Sequence, residues 1–239
     1  LVLVTIDDKL VETASMSLDA DGINVHAMLV PRAKFKRLAD GVMTNSFMHS
    51  MLSKGRLLFS HDDSIPPLLE RMRTIGDRDT RLLQLGAATE ALAYLYKARK
   101  WLLTRNDATY AALWVLEAAT PLARIAVTEH GELADREVLP RALALESACF
   151  GVIYEGLLTG PKSRAVVQAA LETAERFIAE RIPVFSAPIV HWLEEAGETR
   201  SCTEIDAHFH RALGVAHVSG TCEYLADQGI IGRASVTTR

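Results

Sequence analysis

Three groups of side chains in this sequence have types and spacings suited to chemistry. Asn24 and His26 stand two residues apart in the β-rich run 23–30, so on a strand they project from one face. Lys97 and Lys100 stand three apart in Tyr96-Lys-Ala-Arg-Lys-Trp101. On a helix they share a face, and such a cationic face suits a phosphate-bearing ligand. Arg124 and His130 are separated by five residues, apolar enough to read as helix core, with His130-Gly131 as a helix terminus where a cationic imidazole is favoured. Asp7 and Asp8 do not make a carboxylate pair. Being adjacent, they point to opposite faces of a strand, and Asp7 suits a helix cap. Cys202, His208, His210, His217 and Cys222 show no zinc spacing. On a helix His208 and His210 diverge by about 200°, so no metal ligands are assigned.

The elements that must position these groups follow from pattern. Residues 1–6 form a continuous apolar run, the mark of a buried strand. A helix over 9–16, a turn at 19–22, a strand over 23–30, a short basic helix over 32–39, a helix over 47–53 and a strand over 56–60 are expected, an α/β arrangement. From residue 65 onward the pattern is helical. Leu82, Leu85, Ala88, Leu92, Leu95 and Leu102 recur near the helical period over 82–104. A second helix over 108–127 holds Pro121, expected to kink it. A third lies within 136–158, with Pro140 in its first turn. A fourth lies within 163–196, bent or broken around Pro183 and Pro188. Four such helices predict an antiparallel bundle. Ser201-Cys-Thr-Glu204 is a capping box, opening a helix to about residue 213. A helix over 217–228 and a strand over 230–238 complete a winged-helix outline. The fold class is α+β, divided as 1–65, 66–196 and 197–239.

Composition narrows the function classes. The 239 residues carry net charge −4, with 49% hydrophobic and 23% charged residues, a globular balance without a polyanion-binding signature. No apolar run reaches the roughly 20 residues of a membrane span, and no signal peptide is read at the start. Three cysteines argue for buried thiols in a reducing cytoplasm rather than a disulfide framework. Both ends fall inside apparent strands, so further residues are expected before Leu1 and after Arg239.

Several blocks carry a family resemblance. Ser46-Phe-Met-His-Ser-Met-Leu-Ser-Lys-Gly-Arg-Leu-Leu-Phe-Ser60 resembles the end of a nucleotidyltransferase α/β domain. Tyr96–Trp101 and Gly131-Glu-Leu-Ala-Asp-Arg-Glu137 resemble the helical domain of the same bacterial nucleotidyltransferase-like proteins, a bundle of the HEPN and kanamycin-nucleotidyltransferase C-terminal kind. Glu195–Glu204 and Cys222–Ile231 resemble their C-terminal end. The resemblance implies transfer of a nucleoside monophosphate from a nucleoside triphosphate to a hydroxyl with Mg²⁺. The acceptor is a small molecule or a protein side chain. Its Gly-Ser turn and Asp-x-Asp pair, which hold phosphates and metal, are expected upstream of Leu1. The neighbouring strand normally adds a third carboxylate, and here it offers Asn24 and His26, the candidate catalytic residues. Lys97 and Lys100 are the candidate nucleotide contacts, expected to face that strand across a cleft. The alternative is a catalytically silent nucleotide-binding or scaffold module. Arg124 and His130 also resemble the HEPN ribonuclease motif, at a spacing that chance supplies readily. The helix over 217–228 holds Glu223 and Asp227 and no Lys or Arg, so duplex DNA is not an expected partner. A homodimer follows by analogy.

Overall fold

The computed structural model describes residues 2–5, 14–40, 52, 54–73, 77–134 and 136–235. They fall into two compact units, Leu1–Ile75 and Gly76–Arg239, each with its own hydrophobic core.

The first unit is a three-stranded sheet in the order β1-β3-β2, made of β1 (Val2–Thr5), β2 (Ala14–Ala20) and β3 (Ile23–Pro31). β1 runs parallel to β3, Val2 opposite Met28. β2 runs antiparallel, Ala14 opposite Leu29 and Ala20 opposite Ile23. Residues 14–16, expected in a helix, are strand. Asp21 and Gly22 both take positive φ, 54° and 79°, which a two-residue hairpin turn of matching twist requires and Asp-Gly supplies. The turn folds residues 14–20 back onto β3, and the ladder overrides local helical preference. Pro31 ends β3, and α1 (Arg32–Asp40) follows. Val30, Phe35, Leu52, Ile65, Leu68, Leu69 and Met72 form the core, the last residues lying on and just after α2 (Ile65–Arg71). Residues 56–60, expected as a strand, have no regular structure. Leu58 and Phe59 are exposed there, with no strand partner among the described residues to pair their backbone. The helix expected over 47–53 lies outside the described residues except for Leu52.

The second unit is helical: α3 (Asp77–Leu103), α4 (Ala108–Glu129), α5 (Val138–Leu145), α6 (Ser147–Thr159), α7 (Arg164–Glu180), α8 (Ile182–Ala196), α9 (Cys202–Leu213) and α10 (Val218–Asp227). Leu82, Leu85, Ala88, Leu95 and Leu102 are buried, as their period requires. Asp107 caps α4 through the Tyr110 amide. Pro121 lies inside α4 without ending it; it forfeits one intrahelical bond. α4 is long and apolar enough to cross a membrane by length and composition, but 67% of that stretch is buried inside the bundle.

Two junctions interrupt the long helices: one in the third, which the pattern reads as continuous, and one in the fourth, close to the break expected around Pro183. The third helix is broken at Glu146 (φ −130°, ψ 59°), α5 and α6 bending by 115°, and Gly151–Gly156 within α6 is wound as a π-helix. The fourth is broken at Arg181 into α7 and α8, with Pro183 in the first turn of α8 and Pro188 inside it. The two breaks meet. Arg181 Nε lies 2.6 Å from Glu129 Oε2, and its Nη2 donates to both Glu146 oxygens at 2.9 and 3.0 Å. Its guanidinium covers the Phe177 ring at 3.6 Å. One side chain therefore ties the ends of α4, α5 and α7.

The capping box is formed as the sequence indicates: Ser201 Oγ accepts from the Glu204 amide at 3.2 Å, and Glu204 Oε2 accepts from the Ser201 amide at 2.8 Å. Asp206 Oδ1 accepts from the Ser219 amide at 2.8 Å, so α9 satisfies a donor in the first turn of α10. Val218, Cys222 and Leu225 of α10 belong to the bundle's own core, and Thr89 and Thr221 hydroxyls meet at 2.8 Å. Residues 230–235, expected to begin a wing strand, are irregular. The Ile230 amide bonds to Leu225 O, and Arg233 to Glu223 O and Asp227. These bonds hold the segment against the end of α10. Residues 236–238 of the expected wing lie outside the described residues.

Candidate functional site

Asn24 and His26 lie in β3 and are both exposed. Their strand is not divided cleanly into apolar and polar faces. By alternation they continue the face that Met28 and Val30 turn toward the core. Ile23, expected to be buried opposite them, is 66% exposed, because the hairpin runs past the edge of that core. The antiparallel register sets Ser17 opposite His26 and Asp19 opposite Asn24. Ser17 Oγ lies 3.1 Å from His26 Nδ1. The face therefore carries Ser17, Asp19, Asn24 and His26, and the carboxylate comes from β2 rather than β3. A hairpin reading of the Asp21-Gly22 turn would have found Asp19. One Asp19 oxygen accepts from the Gly22 amide at 3.3 Å.

This donor set does not fit Mg²⁺. The ion prefers oxygen ligands that include free carboxylates, whereas the one carboxylate here is bonded to the turn and its neighbours are an amide and an imidazole engaged with the Ser17 hydroxyl. Among the described residues no group of three His, Cys, Asp or Glu side chains is placed to hold a metal ion.

In the second unit Lys97 and Lys100 share the exposed side of α3. The Lys97 ammonium lies 4.2 Å from the centroid of the Trp114 ring on α4 and 5.6 Å from that of Tyr94, a pairing of about 0.5–2 kcal/mol. Tyr94 and Trp114 stack at 5.8 Å, and Trp101 and Tyr110 extend the row edge-to-face. Beside it Arg124 pairs with Glu90 at 2.9 Å, and the Tyr94 hydroxyl donates to Glu90 at 3.3 Å. Burial, with the Glu90 charge next, pushes the Tyr94 phenol above its ordinary value. The sequence placed both lysines on one face correctly but did not reveal that Lys97 lies against Trp114, seventeen positions along the chain.

Arg124 is thus in an ion pair, while His130 Nδ1 contacts the Ala126 carbonyl of its own helix at 2.9 Å. Six positions along a helix leave the two side chains about 120° apart, and His130 stands at the end of α4. The five Cys and His residues near the C-terminal end likewise form no metal-holding group among the described residues. His208 stacks on Trp192 at 4.6 Å, Cys222 is buried, Cys202 is exposed, and His217 precedes α10 with φ 63°.

No protein-family model matches the chain, and no curated protein matches it. Among solved structures, a nucleotidyltransferase-like protein from Exiguobacterium sibiricum 255-15 is similar with a TM-score of 0.70 at 16% sequence identity, over 95% of this chain and 78% of that one. At this identity the likeness is one of architecture: the chain has a nucleotidyltransferase-like fold.

Proposed function

We propose that the protein is a nucleotidyltransferase that moves a nucleoside monophosphate from a nucleoside triphosphate to a hydroxyl group of a small molecule or a protein side chain. The likeness of fold over 95% of the chain carries this reading. On it, Lys100 and Lys97 neutralise nucleotide phosphate charge, Lys97 being pre-oriented by Trp114. Asn24 and His26 act as hydrogen-bonding groups at the exposed end of one face of β3. The Mg²⁺ used in such transfers has no ligand set among the described residues, so no step is routed through it. The same reading gives a cytoplasmic protein, a homodimer without affinity for duplex DNA.

One observation favours a second reading. On the resemblance, the strand that normally adds a carboxylate carries Asn24 and His26 instead, and a nucleotide-binding module without catalysis fits the same fold. Calorimetric titration with nucleoside triphosphates and Mg²⁺, together with pyrophosphate release across a panel of hydroxyl acceptors, separates the two. Binding with acceptor-dependent pyrophosphate release supports transfer. Binding without release supports the silent module. Absence of binding overturns both.

A further inference from the structure

A cleft of about 900 Å³ lies in the second unit, between the end of α8, the start of α9, the middle of α10 and residues 230–235. Leu193, Ile205, Ala226 and Ile231 give it apolar walls, and two of the chain's three cysteines, Cys202 and Cys222, line it from different helices. The contact between α9 and α10 fixes how these two stand. The Ser219 amide bonds to Asp206 at 2.8 Å and joins the two helices there. One helical turn back along α9 from Asp206 is Cys202, and one turn forward along α10 from Ser219 is Cys222. Both steps lead to the same cleft.

We propose that Cys202 and Cys222 are an oxidisable thiol pair, converted by peroxide into an intramolecular disulfide that joins α9 to α10 across the cleft. The two thiols differ in role. Cys202 is exposed and meets the oxidant. Cys222 is buried, and its thiol is pushed up to about 12, by burial first and then by the nearby Cys202 and Asp206, so it is not the thiol that peroxide meets first. The Cys202 sulfur attacks one oxygen of hydrogen peroxide. The O–O bond breaks, one water leaves, and Cys202 becomes a sulfenic acid. The Cys222 sulfur then attacks the Cys202 sulfur. The S–S bond forms, the S–O bond breaks, and the hydroxyl departs with the Cys222 proton as a second water. Two thiols and one peroxide give one disulfide and two waters. Cys149, whose thiol burial pushes up to about 11, stands at the Glu146 junction and takes no part.

The 239-residue chain is treated with hydrogen peroxide, then blocked, digested without reductant and mapped by mass spectrometry. The expected product is a Cys202–Cys222 linked peptide that a thiol reductant abolishes. The bridge closes the loop between the two helices and raises the thermal midpoint by a few degrees. Cys202→Ser and Cys222→Ala each remove the linked peptide and the rise, while Cys149→Ser retains both. The wild-type map decides the outcome even if a variant folds poorly. Cys202 recovered as sulfinic acid or as an intermolecular disulfide, with Cys222 still a thiol, overturns the proposal. So does a midpoint rise that persists in Cys222→Ala.

Discussion

Replacing Arg181 with alanine removes the side chain that holds two helix breaks in register. Its side chain is 16% exposed, and those of the two glutamates it engages, Glu129 and Glu146, are 23% and 21% exposed. Exposed pairs are worth at most about 1 kcal/mol, whereas stripping one partner from a buried pair costs roughly 3–5 kcal/mol. A largely but not fully buried guanidinium with two carboxylates falls between, at about 2–3 kcal/mol, including the lost cover of the Phe177 ring. The truncation also leaves two carboxylates close together, Glu129 at the negative end of α4 where an anion is disfavoured. For a helical unit of this size each kcal/mol moves the midpoint by about 2–4 °C, so Arg181→Ala should melt roughly 5–10 °C lower by circular dichroism or calorimetry. Arg181→Lys keeps the charge but not the fork that reaches both carboxylates, and should fall between wild type and alanine. A double-mutant cycle with Glu146→Gln should return positive coupling. If Arg181→Ala melts within a degree of wild type, or the cycle shows independence, the two breaks are not held by this cluster and the reasoning fails.

Other expectations are narrower. Asp62 is held at about 2 instead of 3.8 by hydrogen bonds from Ser64 and then by Arg32. Its folded value lies below its unfolded value, so its contribution is complete above about pH 4 and is lost as pH falls toward 2. The first unit's urea midpoint should drop through that window, and Asp62→Asn should flatten the drop; parallel profiles would refute this. Ser201→Ala removes one half of the capping box and should cost about 1 kcal/mol, seen as faster amide exchange in the first turn of α9. Unchanged exchange there would show that the cap is not what holds that end. Duplex DNA should show no salt-sensitive binding, since α10 carries Glu223 and Asp227 and no Lys or Arg of its own; sub-micromolar anisotropy that weakens steeply with salt would contradict it.

Much of this protein is written locally. The helical period of Leu82, Leu85 and Ala88, the Ser201–Glu204 capping box and the Asp21-Gly22 turn each depend on contacts within a turn or two of chain. A reader of the sequence can recover them because propensity, capping and backbone geometry act over that distance. That Asn24 and His26 share one face of β3 was legible for the same reason, through strand alternation, but not that the same face carries Met28 and Val30 toward the core.

What the sequence did not determine depends on partners distant along the chain. Residues 14–16 become strand because a ladder to β3 outweighs their local preference. Residues 56–60 fail to become one because no described strand meets them. Asp19 joins the polar face only through cross-strand register. Lys97 reads as a solvated cation until α4 brings Trp114 beneath it. The third helix, continuous by its period, breaks at Glu146, where Arg181 finds it from thirty-five residues away. Period reports which side of a helix is apolar; it carries no information about where a charged side chain will find a counter-charge. Burial and ion pairing are properties of the packed chain, and only the packed chain decided them.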